Sequence, residues 1–237
     1  MTEPDYLTTT RADYDGGAAR TEPDHLTTTR ADYDGGAALY TEFIGEAFLA
    51  SPLHIAMFPV FAELVRASGG GLVADVGCGP GHVTAHLHGL GVTAFGMDLS
   101  PEMIKIARAA HPELRFEVGL MSAMEVEDGS LAGVLSNYSI IHTPPERLPE
   151  TFAEFRRVLA PGGHALVAFQ AHDHPSEVAE AFDHKMSPAY RYSPDRVAGM
   201  LLDAGLVEVA RLVVAPGEDP NRGFPQAHLL TRRVTTT

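Results

Sequence analysis

The sequence has only one cysteine, Cys78, in 237 residues. An intrachain disulfide is therefore impossible, and the cysteine content gives no sign of an oxidising compartment. The sequence also lacks an apolar run of the roughly 20 residues that a membrane-spanning helix needs, and its first residues lack the basic and apolar stretches of a secretion signal. We therefore expect a cytoplasmic protein that is neither secreted nor inserted into a membrane.

Basic residues are scarce, because 17 Lys and Arg stand against 31 Asp and Glu and give a formal net charge of -14. This charge repels the phosphates of nucleic acids and of anionic lipids at long range. We therefore expect no nucleic acid and no membrane among the partners. The 45% of hydrophobic residues suffices for one large α/β domain.

A tandem repeat opens the chain, since residues 2–20 and 21–39 match at all but two positions. Solenoid repeats occur in several copies that each bury a hydrophobic face, whereas this unit is polar and occurs twice. Only the second copy joins the rest of the chain directly. We expect residues 1–32 to form a partly flexible extension that arose by a recent or artificial duplication, and 33–237 to form the domain.

Short apolar strands alternate with helical patterns along the rest of the chain. The strand at 72–76 runs into a glycine-rich turn at 77–81, and the next strand ends at Asp98, just before the helix-capping sequence Ser100-Pro101-Glu102. Further strands are predicted at 114–118, 133–138, 164–170, 207–214 and 228–233, and helices at 53–67, 82–90, 101–110, 145–159 and 193–204. This alternation predicts a doubly wound, mostly parallel seven-stranded sheet with helices on both faces and an antiparallel C-terminal strand pair.

The glycine-rich turn between a strand and a helix lets a ligand approach the backbone, and Asp98 follows at the end of the next strand. In the dinucleotide fingerprint G-x-G-x-x-G that starts at Gly77, the third glycine would fall at position 82, which is His82. This departure makes NAD the less favoured nucleotide.

The pattern Asp75-x-Gly77-x-Gly79-x-Gly81, followed by Gly96-x-Asp98-Leu99-Ser100-Pro101, resembles the class I S-adenosylmethionine-dependent methyltransferases. Later segments at 114–119, 127–130 and 155–163 look like further motifs of this family in the same order. The resemblance covers about residues 33–235. It implies a Rossmann-like fold and S-adenosylmethionine as cofactor.

Carried over by position, the resemblance implies a set of cofactor-binding residues. Asp75 and the backbone of Gly77, Cys78 and Gly79 would hold the methionine portion, and Asp98 would accept the ribose hydroxyls. The adenine would lie between Leu99 and Met103 on one side and Met121 and Ser122 on the other. Many relatives have an acidic residue where this chain has Leu120, so the backbone or Ser122 would read the adenine amino group.

Two tyrosines are candidates for a lid over the cofactor, because Tyr33 and Tyr40 resemble an N-terminal tyrosine pair of the family. The alternative is that both are ordinary aromatic residues of an amphipathic helix. The lid would extend over residues 33–67.

Methyl transfer is an in-line displacement, so positioning and exclusion of water supply much of the rate. If the acceptor must lose a proton, His142, just beyond the fourth strand, is the best-placed base. The alternative is a structural histidine that is hydrogen-bonded to the backbone. Tyr138 is expected to line the pocket and to contact both cofactor and substrate.

The segment 172–192 is rich in histidine and aromatic residues. His172, His174 and His184 together with nearby aspartates could hold a metal ion, but no spacing fixes a third ligand, and we expect no metal. The favoured interpretation is a substrate cover, in which an apolar pocket is lined by Phe182, Met186, Tyr190 and Tyr192.

These observations predict an enzyme that transfers a methyl group from S-adenosylmethionine to an oxygen, nitrogen or carbon atom of a small molecule. Two alternatives stay open. An NAD(P)-dependent oxidoreductase is weakened by His82 and by the lack of a Tyr-x-x-x-Lys pair beyond the fourth strand, and a non-catalytic S-adenosylmethionine-binding module would keep the same motifs. No heptad repeat is evident, and we expect a monomer or a homodimer.

Overall fold

The computed structural model describes residues 23–48, 52–174, 177–218 and 223–235. The first repeat copy, residues 2–20, lies outside the described residues. The described residues form a seven-stranded sheet with helices on both faces and a separate two-stranded hairpin. The predicted fold class is confirmed.

The elements follow one another as strands and helices in alternation over most of the chain. The helices are α1 (Asp24–Phe48), α2 (Pro52–Ile55), α3 (Met57–Ala67), α4 (His82–Gly89), α5 (Pro101–Ala110), α6 (Leu148–Val158) and α7 (Pro194–Asp203). The strands are β1 (Leu72–Val76), β2 (Thr93–Asp98), β3 (Arg115–Val118), β4 (Leu131–Asn137), β5 (Leu159–Gln170), β6 (Ala179–Asp183), β7 (Pro188–Tyr192), β8 (Leu206–Val214) and β9 (Gln226–Arg233). Short 3-10 helices lie at Ile140–His142, Pro145–Arg147 and Pro216–Glu218.

The strand order of the large sheet is β3-β2-β1-β4-β5-β9-β8. The strands from β3 to β5 are parallel, and β9 is antiparallel to both of its neighbours, β5 and β8. The direction in which the chain adds strands reverses between β1 and β4. Ligands of such sheets bind at this point, beyond the carboxyl ends of the strands.

The core occupies both faces of the sheet because successive strand residues point to opposite sides. On one face Val134 and Val167 pack with Phe152 and Phe155 of α6. On the other face Val73 and Leu166 pack with residues of α3, including Phe61 and Val65. Both clusters are almost wholly shielded from solvent, so the sheet is a rigid base for the loops at its carboxyl edge.

Two predicted helices are shorter than expected, and a proline explains each difference. The predicted helix at 53–67 is interrupted at Ala56, because Pro59 has no N–H to donate to residue 55 and its ring clashes with that carbonyl group in a continuous helix. The predicted helix at 145–159 begins as a 3-10 turn, and α6 starts only at Leu148, since Pro149 would face residue 145 in the same way.

The strand predicted at 164–170 starts earlier, because β5 begins at Leu159 and includes residues 160–163. The pairing of β4 with β5 shifts register between Leu131 and Gly133, so an irregular stretch of strand replaces a separate turn. Gly162 has a φ of 82°, a value that glycine adopts without strain.

The helix α1 spans most of the second repeat copy and runs through the predicted boundary between residues 32 and 33. It is fixed to the start of α5 by Asp34, whose Oδ1 accepts hydrogen bonds from Ser100 Oγ at 2.5 Å and from the backbone N–H of Glu102 at 3.3 Å. This end of α5 carries the positive end of the helix dipole, which favours a carboxylate. The second repeat copy thus packs against the carboxyl edge of the sheet.

Candidate active site

A cleft of about 970 Å³, counted out to its mouth, lies between α1 and the carboxyl ends of the parallel strands. Its walls come from α1, from the turn after β1, from the ends of β2 and β4 and the segments that follow β2, β3 and β4, and from the first turn of α6. The lining residues are His25, Leu26, Thr29, Arg30, Tyr33, Tyr40, Gly77, Gly79, Asp98, Leu99, Ser100, 119–122, 137–139, His142, Thr143, Arg147, Glu150 and Thr151.

The glycine-rich turn forms the floor of the cleft. The N–H groups of Gly77 and Cys78 both donate to the carbonyl oxygen of Met97, at 2.7 and 3.0 Å. Gly77 has a φ of 71°, and a Cβ atom at this position would lie 2.2 Å from the Cβ atom of Ser139. Only glycine fits here, so the turn stays low and leaves the space above it to a ligand.

Asp98 lies at the end of β2 and faces the cleft. Its Oδ2 accepts a hydrogen bond from the N–H of Gly79 at 2.8 Å, and its Oδ1 accepts one from the N–H of Ser100 at 2.9 Å. Burial raises the pKa of Asp98, and the backbone hydrogen bonds oppose this shift. A carboxylate has about four acceptor positions, so two hydroxyl groups of a ligand can also be held here.

Three residues of the predicted cofactor set lie behind the lining of the cleft. Asp75 is 1% exposed, and its Oδ2 accepts from Thr84 Oγ1 at 2.6 Å, while its Oδ1 has no hydrogen-bond partner among the described residues. Burial, the largest effect, raises the pKa of Asp75 to about 7. Cys78 and Met103 are also buried, because both side chains point into the core beneath the turn and beneath α5.

The other predicted cofactor residues line the cleft. They are Tyr33, Tyr40, Gly77, Gly79, Asp98, Leu99, Met121, Ser122 and Tyr138. Tyr138 has a φ of 57°, which is strained for a side chain of this size, and its N–H donates to the carbonyl oxygen of Ala168 at 2.9 Å. Strain of this kind costs about 1–3 kcal/mol and is typical of functional sites.

His142 borders the cleft and is held on both sides of its ring. Its Nδ1 lies 2.9 Å from the carbonyl oxygen of Pro188, and its Nε2 lies 2.8 Å from the hydroxyl of Tyr33. Because a carbonyl oxygen only accepts, Nδ1 carries a proton and donates a hydrogen bond to the Pro188 carbonyl group. When the ring is neutral, Nε2 accepts a hydrogen bond from the Tyr33 hydroxyl. His142 thus makes both the backbone contact expected of a structural histidine and the contact at the cleft expected of a base.

The cover of the cleft is α1, and this helix contributes residues that the sequence analysis missed. Arg30 Nε donates to the carbonyl oxygen of Leu99 at 3.3 Å. Leu26, Thr29, Tyr33 and Tyr40 share one face of α1 with Arg30, at spacings of three, four and seven residues. This periodicity was readable in the sequence, but only for a helix that starts near Asp24.

The end of β4, the segment that follows it and the first turn of α6 also supply residues that were not predicted. Asn137, Ser139, Thr143 and Thr151 face the cleft. Arg147 forms an ion pair with Glu150 at 2.8 Å, and both line the cleft as well. The available signal was their position after β4, next to the predicted His142.

The predicted substrate cover does not line the cleft, which corrects the role expected for Phe182, Met186 and Tyr190. Phe182 packs edge-on against Phe224, with ring centroids 5.6 Å apart. The Met186 methyl group lies against Gly36, and the hydroxyl of Ser187 contacts Thr29 at 3.5 Å. The hairpin β6–β7 therefore supports α1, and α1 itself lies over the cleft.

The histidines of this segment do not form a metal site in the part of the chain that the structure describes, where no group of three or more potential ligands converges. His172 Nδ1 instead accepts from the N–H of His174 at 3.2 Å. His184 packs against His142 with ring centroids 5.0 Å apart. Among the described helices, none has the length and apolar character needed to cross a membrane.

Part of this sequence is similar to known methyltransferases. Residues 73–163 match the model of a methyltransferase domain family. The chain is 35% identical over 96 residues to a demethylmenaquinone methyltransferase of Chlorobaculum parvum, covering 40% of this chain and 39% of that protein. It is 31% identical over 133 residues to a malonyl-[acyl-carrier protein] O-methyltransferase of Pectobacterium atrosepticum, covering 52% of each chain. The alignments thus span about half or less of these relatives.

A solved structure matches over nearly the whole chain. It is the Burkholderia thailandensis 1,6-didemethyltoxoflavin-N1-methyltransferase with bound 1,6-didemethyltoxoflavin and S-adenosylhomocysteine. Its TM-score is 0.69 at 20% identity, with 99% of this chain and 100% of that chain covered, which shows a shared fold. Residues 73–163 thus match a methyltransferase domain, and this match supports the predicted class, the class I S-adenosylmethionine-dependent methyltransferases, over that part of the chain.

Proposed function

We propose that this protein transfers a methyl group from S-adenosylmethionine to a small-molecule acceptor in the cleft under α1. The observation that carries the proposal is the position of Asp98 and the glycine-rich turn within the methyltransferase domain. Both lie at the carboxyl edge of the sheet, next to the point where strand order reverses.

The residues present fit the cofactor. Asp98 offers acceptor positions for two ribose hydroxyls beside the backbone of Gly79, and the low turn at Gly77 admits a ligand that carries no phosphates. Leu99 and Met121 provide apolar surface for the adenine, and Ser122 a polar edge. When bound, S-adenosylmethionine supplies a methyl group on a positively charged sulfur.

The cover formed by α1 suits this chemistry. Positive charge on the sulfur disappears during transfer, so exclusion of water and alignment of the acceptor both favour the reaction. Tyr33 and Tyr40 close the cleft from above, with ring centroids 5.2 Å apart. His142 lies at the side of the cleft. In this proposal it takes the proton from a methyl acceptor that must be deprotonated.

The acceptor is a small molecule in this proposal because the cleft must hold it together with the cofactor. The two relatives are named for acceptors of different kinds, so the shared domain does not assign the methylated atom. An acidic protein of this kind is expected to act in the cytoplasm, as a monomer or homodimer and without nucleic acid. These expectations stay predictions.

The first test is titration calorimetry with S-adenosylhomocysteine, with NAD as a second ligand. Asp98→Ala removes the acceptor of the ribose hydroxyls and should weaken S-adenosylhomocysteine binding at least about 10-fold, because hydrogen bonds to charged groups are strong. Asp203→Ala, an exposed aspartate at the end of α7, is the matched control and should bind normally.

Either of two results would contradict the proposed cofactor site. One is the absence of S-adenosylhomocysteine binding, and the other is tighter binding of NAD. Binding without turnover of any acceptor would favour the non-catalytic binding module. Release of S-adenosylhomocysteine in an acceptor screen therefore completes the test.

A further inference from the structure

Neither ring nitrogen of His142 is free to contact the methyl acceptor directly, because the carbonyl group of Pro188 contacts Nδ1 and the hydroxyl of Tyr33 contacts Nε2. A proton from the cleft reaches Nε2 only through the Tyr33 oxygen. Both residues line the cleft, but His142 is buried, with 9% of its surface exposed, whereas Tyr33 is half-buried. We propose that Tyr33 is the catalytic residue that takes the acceptor's proton while it passes its own proton to His142. This inference rests on the proposed function.

The step balances in atoms and charge. The proton of the acceptor moves to the Tyr33 oxygen, and the Tyr33 proton moves to Nε2 of His142. The electron pair left on the acceptor forms the bond to the methyl carbon, and the pair of the broken sulfur–carbon bond stays on sulfur. The positive charge thus passes from the sulfonium to the imidazolium, which the Pro188 carbonyl group already stabilises through Nδ1.

The relay also specifies the chemical class of the acceptor. Proton transfer works best between groups of similar pKa, and a free tyrosine has a pKa of about 10. A carboxylic acid is already ionised at neutral pH, and an amine with an available electron pair needs no relay. The relay therefore suits a weakly acidic O–H or N–H that is conjugated with a ring, as in phenols, enols and lactams.

The hairpin and α1 hold the relay from opposite sides. Pro188 is the first residue of β7, so the tautomer of His142 depends on the hairpin. Tyr33 comes from α1, which Asp34 fixes to α5. The His142 ring also packs edge-on against His184 and Tyr33. The relay is complete only when α1 lies over the cleft, which couples proton transfer to closure.

The test that needs no acceptor is nitrogen NMR of the imidazole rings, with and without S-adenosylhomocysteine. We expect a protonated Nδ1 and an unprotonated Nε2 for His142. Tyr33→Phe should shift the Nε2 resonance, whereas Tyr40→Phe, which removes a hydroxyl from the same helix face, should leave it unchanged. A protonated Nε2 at neutral pH, or a resonance that ignores Tyr33→Phe, would overturn the proposal.

The kinetic test compares catechol, 4-nitrophenol and 8-hydroxyquinoline with 4-nitroaniline and 8-aminoquinoline. For any hydroxyl compound that turns over, Tyr33→Phe should lower kcat about 100-fold and leave its KM nearly unchanged. Turnover confined to the amines would overturn the acceptor class. S-adenosylhomocysteine titration of the unsubstituted protein separates this result from failure of the cofactor site, because the proposed function requires the unsubstituted protein to bind it.

Discussion

The floor and the cover of the cleft are built in different ways. Backbone hydrogen bonds and buried strands hold the floor, as when the N–H groups of Gly77 and Cys78 share the Met97 carbonyl group. Side-chain contacts hold the cover, chiefly Asp34 on Ser100, Arg30 on the Leu99 carbonyl group and the Tyr33–His142 pair. The floor therefore forms one rigid unit with the core. The helix α1 can separate from the floor when only a few side-chain contacts break.

This difference predicts that glycines of the floor are obligatory. In Gly77→Ala the new methyl group would lie 2.2 Å from Ser139 Cβ at a φ of 71°. We expect the free energy of unfolding to fall by about 1–3 kcal/mol from backbone strain and by about as much again from overpacking, measured by urea unfolding.

Gly162→Ala is the matched control for that substitution. Gly162 has a similar φ, 82°, but no described atom lies within 4 Å of its added Cβ. In Gly162→Ala the free energy of unfolding should therefore fall only by the contribution from backbone strain. Equal losses in the two variants would show that the close approach to Ser139 does not constrain the floor.

The floor also contains a buried carboxyl whose titration should be visible in stability. Burial raises the pKa of Asp75 to about 7, whereas in the unfolded chain the group ionises near its ordinary value of about 4. Unfolding therefore releases a proton between these values, and this group lowers the free energy of unfolding as pH rises from about 4 to about 7. Above pH 7 it causes no further change.

Asp75→Asn should flatten this pH dependence, by about 1–4 kcal/mol between pH 5 and pH 8 in urea unfolding. Part of the slope should remain, because the pKa of Asp98 is raised as well. Asp203→Asn makes the same charge change at an exposed position and should keep the full slope. A slope that is identical in all three proteins would rule out Asp75 as its source.

The sequence was sufficient to predict the floor and insufficient for the cover, and the reason is the range of the contacts. The glycine-rich turn and Asp98 belong to one strand–turn–helix–strand unit. In the cover, Tyr33 meets His142 at a separation of 109 residues, and Ser187 meets Thr29 at a separation of 158. Nothing local to 172–192 indicated that its side chains would support α1 and not the cleft.

Helix bounds were also predicted wrongly where a single residue acts against the periodic apolar spacing. Pro59 and Pro149 shorten helices whose apolar spacing continues through them. Conversely, Gly35 and Gly36 lower helix propensity in the middle of α1, yet the helix runs through both. Packing against the carboxyl edge of the sheet outweighs this local cost.

The glycines of the cover should therefore be replaceable, unlike Gly77. No described atom lies within 4 Å of a Cβ built at Gly35, so Gly35→Ala should stabilise α1 by about 0.5–1 kcal/mol. At Gly36 the added Cβ would lie 2.5 Å from Met186 Cε, the end of a flexible side chain that can move away. Gly36→Ala should thus gain less than Gly35→Ala, measured by hydrogen exchange of the α1 amides. A loss at Gly36 as large as that of Gly77→Ala would mean that hairpin and helix pack as tightly as the floor, and that the cover moves with the core.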